Sequence, residues 1–128
     1  MIKARVISEV LGSPQDHVDK TLKLLLEKLK ERKSLDVNQE KIFNAEKIEG
    51  KPFFTGFIDY EINIKDLGEL TSFCFDFMPS SIEILEPDEL KVKPTNLGEL
   101  FNDLLARLHD NDMLLRNTIA ELTLLKKR

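Results

Sequence analysis

Two histidines, one cysteine and a spread of carboxylates are all that this 128-residue chain offers to acid–base, nucleophilic or metal chemistry. His17 and His109 fall on two distant helical stretches. A metal site needs more ligands at fixed spacing, and neither histidine has them nearby in sequence. Both read as ordinary surface residues, and no metal is expected. Cys74 stands among Phe73, Phe75 and Phe77 on an apolar helix face. That is the setting of a small buried hydrophobe, whereas a reactive thiolate wants electropositive, partly exposed surroundings. The carboxylates mostly sit in pairing range of lysine or arginine. Five glycines are present, and none recurs at phosphate-loop spacing. The chain therefore predicts no catalytic residue, no cofactor and no enzymatic activity.

Two stretches could bind something. Gly12-Ser13-Pro14-Gln15 turns directly into a helix N-terminus, where free N–H groups and the helix dipole favour an anion; Gly12, Ser13 and Gln15 are the candidate contacts. A plain helix cap explains the same residues. Lys3, Arg5 and Phe57 alternate outward on two strands and could meet a phosphate backbone and a base.

The elements that must position these residues follow from hydrophobic period. Ile2, Ala4, Val6, Ser8 and Val10 alternate on one face of a first strand. Ser13 is read as the cap of a helix running to about Lys33, with Val18, Leu22, Leu25, Leu26 and Leu29 as its core stripe. Asp16–Lys20 and Asp19–Lys23 can pair on its wet face. Residues 34–48 suggest a second strand interrupted around Asn38 to Glu40, closed by a turn at Glu49-Gly50-Lys51-Pro52. Phe53 to Ile64 is a third strand, with Ile58, Tyr60, Ile62 and Ile64 inward. Asp66 caps a second helix striped by Leu67, Leu70, Cys74 and Phe77. Ile82 to Leu85 makes a fourth strand, ended by Pro87.

This βαββαβ order predicts an α+β, ferredoxin-like sandwich over residues 1–90, with two helices on one sheet face. Right-handed crossovers place the first and third strands in the centre. The exposed face would show Lys3, Arg5, Ile7, Phe53 and Phe57.

After Pro94 the pattern changes. Thr95 or Asn96, with Glu99 following, offers a helix start, and the helix runs on to about Lys127. Leu97, Phe101, Leu104, Leu108, Asn111, Leu115, Thr118, Leu122 and Leu125 follow at alternating steps of four and three. In heptad letters Phe101, Leu108, Leu115 and Leu122 are a positions and the others d, the seam of a coiled coil. Leu105 and Ile119 at e, with Leu100 and Leu114 at g, widen it towards a bundle. Asp103–Arg107 and Asp112–Arg116 are ion pairs at i, i+4 on the helix. Residues 91–128 are thus expected to join copies of the chain into a dimer or tetramer, or to dock another protein. The alternative is a helix folded back on its own domain.

Composition sets the remaining bounds. Lysine and arginine number 19 against 23 acids, net −4, which disfavours generic nucleic-acid binding. A single cysteine excludes an internal disulfide and fits a reducing, cytoplasmic compartment. Met1 leads straight into a charged strand, so no signal peptide is read, and no apolar run has the length of a membrane span. Abundant lysine and glutamate with few glutamines lean towards a thermophile.

Four resemblances attach to particular residues. Gly12, two residues before Pro14, resembles the ligand turn of small-molecule sensor domains of the ACT type, which share this topology. The usual order there is Pro then Gly after an acid. Gly56-Phe57-Ile58-Asp59-Tyr60 is similar to the latter half of an RNA-recognition-motif signature. Phe53, Phe54 and Thr55 depart from its first half, and Lys3 stands where the partner signature has an aromatic. That resemblance implies RNA on Lys3, Arg5 and Phe57. Ser81 to Leu90 resembles the closing strand of the ferredoxin-like extension of WYL-type regulators, except that Lys91-Val92-Lys93-Pro94 precedes the helix. The chain as a whole resembles small archaeal proteins of no assigned activity, which implies no site.

Overall fold

The computed structural model describes residues 1–127. Its elements are β1 (Ile2–Gly12), α1 (Gln15–Glu31), β2 (Leu35–Lys47), β3 (Phe54–Ile64), α2 (Leu67–Phe77), β4 (Ser81–Glu86) and α3 (Pro94–Lys126). Two compact units emerge, Met1–Leu90 and Lys91–Arg128.

In the first unit the four strands form one antiparallel sheet in the order β2-β3-β1-β4. The first and third strands are central, as right-handed crossovers require. Alternation along β1 and β3 separates two faces. Ile2, Ala4, Val6, Ile58, Tyr60, Ile62 and Ile64 are buried on one of them. Val18, Leu22 and Leu29 of α1 and Leu70 and Phe73 of α2 complete the same core. Leu25, Leu26, Cys74 and Phe77 are half-buried at its margin. Phe73, fully buried, is a core residue that the spacing of Leu67, Leu70, Cys74 and Phe77 left out.

β2 is irregular in two places. Its pairing with β3 shifts between Asn38 and Lys41, around Gln39 at φ 54°, which is the interruption expected there. A second shift lies between Phe43 and Glu46 and leaves no periodic trace in the sequence. It displaces Ala45 from the β3 ladder, and α1 takes up both of its backbone groups. The Ala45 N–H donates to Asp19 Oδ1 at 2.7 Å, and Gln15 Nε2 donates to the Ala45 carbonyl at 2.9 Å. Asp19, expected to pair with Lys23, is thus a tether to β2.

Gly56 makes that close approach geometrically admissible. A Cβ there would stand 2.6 Å from Leu22 Cδ1, 3.0 Å from the Phe43 carbonyl oxygen and 3.2 Å from the Ala45 nitrogen. The leucine tip could swing aside, whereas the two backbone atoms of the bulged strand would have to give by a few tenths of an ångström.

Both helix starts differ from expectation. Pro14, extended at ψ 176°, is the N-cap of α1, and no side chain caps it. Ser13 therefore lies one residue outside, and the Pro14 carbonyl accepts the first turn from His17 and Val18. In α3 the start moves to Pro94, capped by the backbone of Lys93. Proline at N1 loses nothing, since that N–H has no helical partner; Thr95 and Asn96 are inside the first turn. The Asp66 cap of α2 is as expected, accepting from Glu69 N at 2.9 Å.

Gly56→Ala should destabilise the first unit by about 1–3 kcal/mol through overpacking, a fall in Tm of roughly 5–20 °C. Gly98→Ala, where nothing lies within 4 Å of the added carbon, should stabilise α3 by about 0.5–1 kcal/mol. Thermal unfolding followed by circular dichroism checks both; equal melting curves for Gly56→Ala and the parent would overturn the steric account.

Candidate functional site

Three surfaces were expected to carry function: the uncovered sheet face, the turn before α1 and the seam of α3. The uncovered face is set by register. Lys3, Arg5, Ile7, Glu9 and Leu11 of β1 stand opposite Asn63, Glu61, Asp59, Phe57 and Thr55 of β3. Lys41 and Phe43 of β2 stand opposite Asp59 and Phe57. Glu83 of β4 stands opposite Arg5.

Each base on β1 reaches the acid diagonally across from it. Arg5 donates to Asp59 through Nε at 3.0 Å and also through Nη2, a two-pronged pair. Lys3 Nζ lies 3.7 Å from Glu61. Diagonal neighbours on a twisted antiparallel pair are within reach of long side chains, so register dictates both contacts. The Arg5 bond holds the Asp59 carboxyl below its ordinary range, with Lys41 adding to the effect. Arg5 is raised in turn by Asp59, with Glu83 and Glu61 contributing. Thr55 donates to Glu9 at 2.7 Å. An incoming phosphate would have to displace carboxylates from Arg5 and Lys3 alike.

Phe57 is present on this face, with one ring face already occupied. Phe43 stacks on it, centroids 4.4 Å apart and planes within 16°. Phe53 lies just before β3 and is exposed. Gly56, the glycine of the RNA-recognition-like stretch, is fixed by packing against α1 and β2. The residues that complete this face and that sequence reasoning missed are Asp59 and Phe43. Both alternate outward, but the diagonal and the stack follow from register, which no local pattern reveals.

At the turn before α1, Gln15 is engaged by β2 and Ser13 makes no cap bond. Asp16 and Asp19 already put negative charge in the first turns of the helix, where an added anion would meet it. A Cβ on Gly12 would lie 3.5 Å from Val18 Cγ2, an ordinary contact.

The seam residues Leu97, Phe101, Leu104, Leu108, Asn111, Leu115, Thr118, Leu122 and Leu125 all lie within α3, one unbroken helix of 33 residues. Asp112 and Arg116 pair at 3.0 Å on its polar side, as the spacing predicts. No residue of α3 is buried.

Elsewhere, Ser8 and Tyr60 share a hydrogen bond of 2.7 Å inside the core. Burial pushes the Tyr60 phenol up to about 12, against a partly offsetting bond from Ser8. Burial raises the Cys74 thiol too, away from a reactive thiolate. His17 and His109 are exposed on α1 and α3. Among the described residues, no three or more His, Cys, Asp or Glu are placed to hold a metal ion, and no helix is long and apolar enough to cross a membrane.

Comparison with protein families finds a match over residues 3–122. The chain belongs to the MJ0538 family. This is an uncharacterised archaeal family, so membership in the MJ0538 family brings no activity with it. No curated protein and no solved structure matches the chain.

Tyr60 is the single tyrosine and there is no tryptophan, so phenolate absorbance reports this one group. A folded value raised from 10.0 to about 12 means that the unfolded chain loses its proton first as pH rises. Stability should hold below pH 10 and fall between pH 10 and 12. An absorbance titration centred at the ordinary value in the folded protein would contradict the buried Ser8–Tyr60 pair.

Proposed function

We propose that this protein is a non-enzymatic, homo-oligomeric interaction module. In this reading residues 1–90 are a ferredoxin-like βαββαβ domain and residues 91–128 carry the assembly helix. The strand order, with β1 and β3 central, supports the first part. The cytoplasm, a reducing compartment, suits the single half-buried Cys74.

The observation that carries the assembly reading is a 33-residue helix with an uninterrupted heptad seam. A lone helix cannot bury its own apolar stripe, and one of this length draws most of its stability from packing that stripe against something. From Phe101 to Leu122 the seam supplies leucine or phenylalanine at every a position, with polar Asn111 and Thr118 at two d positions. A buried amide is satisfied best by its own copy, which favours self-association over a generic apolar partner. On the first unit, Lys3 and Arg5 of the candidate sheet face each pair with a carboxylate, and Gln15 of the candidate ligand turn is engaged by β2.

Leu108→Asp together with Leu115→Asp should convert the oligomer to a monomer. Burial of each leucine contributes about 1.5–3 kcal/mol, so the pair should weaken association by more than about a hundredfold. The mass measured by light scattering should fall to 14.8 kDa; an unchanged mass would remove α3 from the assembly.

A further inference from the structure

We infer that α3 pairs with α3 of a second copy in a parallel, in-register, two-stranded coil. The inference rests on the assembly reading above and adds the partner surface and its direction. It comes from the residues that flank the seam, which a/d spacing does not use.

With Phe101, Leu108, Leu115 and Leu122 at a, the e positions are Gly98, Leu105, Asp112, Ile119 and Lys126. The g positions are Leu100, Arg107, Leu114 and Glu121. In a parallel pair, each g residue faces the partner's e residue of the next heptad. Leu100 then faces the partner's Leu105, and Arg107 the partner's Asp112. Leu114 faces the partner's Ile119, and Glu121 the partner's Lys126. Apolar meets apolar and charge meets opposite charge at all of these positions. Asp112 also holds Arg116 of its own helix through Oδ2, and a carboxylate has acceptor sites for both partners. The seam agrees: d faces d, so Asn111 meets the partner's Asn111 and Thr118 the partner's Thr118.

An antiparallel pair sets a against d and places e against e and g against g. In the register nearest full overlap, Arg107 meets the partner's Leu114, Asp112 the partner's Leu105, and Leu100 the partner's Glu121. Moved by one heptad, the helices oppose Asp112 to the partner's Asp112. In either register Asn111 is buried against a leucine, Leu108 or Leu115 of the partner, which leaves its amide without a matching group. The apolar e and g positions that widen the stripe thus have a use in a two-stranded coil: they form a rung with each other between charged rungs. Both chains enter the coil from the same end.

Orientation is read by single-cysteine crosslinking of the full chain in a Cys74→Ala background. The variants are Leu104→Cys, Leu125→Cys and, on the outer face, Asn102→Cys, each oxidised alone with oxidised glutathione. Light scattering of the reduced samples and helical circular dichroism establish association and folding first. In a parallel pair, like d positions lie within disulfide range. Leu104→Cys and Leu125→Cys should each shift from 14.8 kDa to twice that mass on a non-reducing denaturing gel, and Asn102→Cys should not. In either antiparallel register, like cysteines at these positions stay more than about 15 Å apart. A dimer by scattering that fails to crosslink at Leu104→Cys and Leu125→Cys overturns the parallel arrangement and leaves self-association standing. A monomer by scattering in the unsubstituted chain overturns both.

Discussion

The first unit depends on the absence of a side chain at Gly56. β3 passes beneath α1 at this residue, and β2 bulges beside it so that Ala45 leaves the ladder. A peptide group displaced from a sheet costs free energy unless its N–H and C=O find other partners. Asp19 and Gln15 of α1 supply both. The helix, the bulge and the glycine therefore fix one another. A Cβ at position 56 would press on the Phe43 carbonyl and the Ala45 nitrogen as well as on Leu22. From this fixed point, strict alternation along β3 sends Ile58, Tyr60, Ile62 and Ile64 into the core. The same alternation sends Phe57, Asp59, Glu61 and Asn63 to the other face.

That outer face is organised by charge pairing. Lys3 and Arg5 each meet a carboxylate on the neighbouring strand, and Phe57 lies under Phe43. Lys3, Arg5 and Phe57, the residues expected to meet a nucleic acid, thus each have a partner within the sheet. The second unit has the opposite character. Its apolar residues are spaced along a single helix that has no internal means of hiding them. The two units thus differ: the first has a core shared by its sheet and helices, whereas α3 spaces its apolar residues along one helix with none of them buried.

How much of this is legible in the sequence varies with the range of the interaction. Period-two alternation reveals β1 and β3 and assigns Ser8 to the inner face, because face depends only on parity. The Asp66 cap and the α1 stripe are equally local. Gln39 and its neighbours betray the first irregularity of β2, since polar residues interrupt an apolar run. The second irregularity is silent, because Phe43, Asn44 and Ala45 would fit a regular strand as well. The caps of α1 and α3 were misplaced for one reason: each lies beside a proline, and the helix begins relative to that proline and not at the best side-chain acceptor. Phe73 was missed because α2 buries a broader face than one i, i+3, i+4 stripe. Contacts such as Arg5 to Asp59 and Ser8 to Tyr60 require the pairing of β1 with β3, which is a property of the whole chain.

The family match extends through most of α3, so the helix is part of the family's chain as much as the sheet is. If this helix is the assembly element, the sheet domain folds without it. The most direct test is the solution mass of the full chain beside residues 1–90, by light scattering over a range of concentrations. The full chain is expected at twice 14.8 kDa, and the truncated chain monomeric, soluble and still rich in strand by circular dichroism. A full chain that stays monomeric while the truncated chain aggregates would contradict it, and would make α3 a missing piece of the sheet domain's own core.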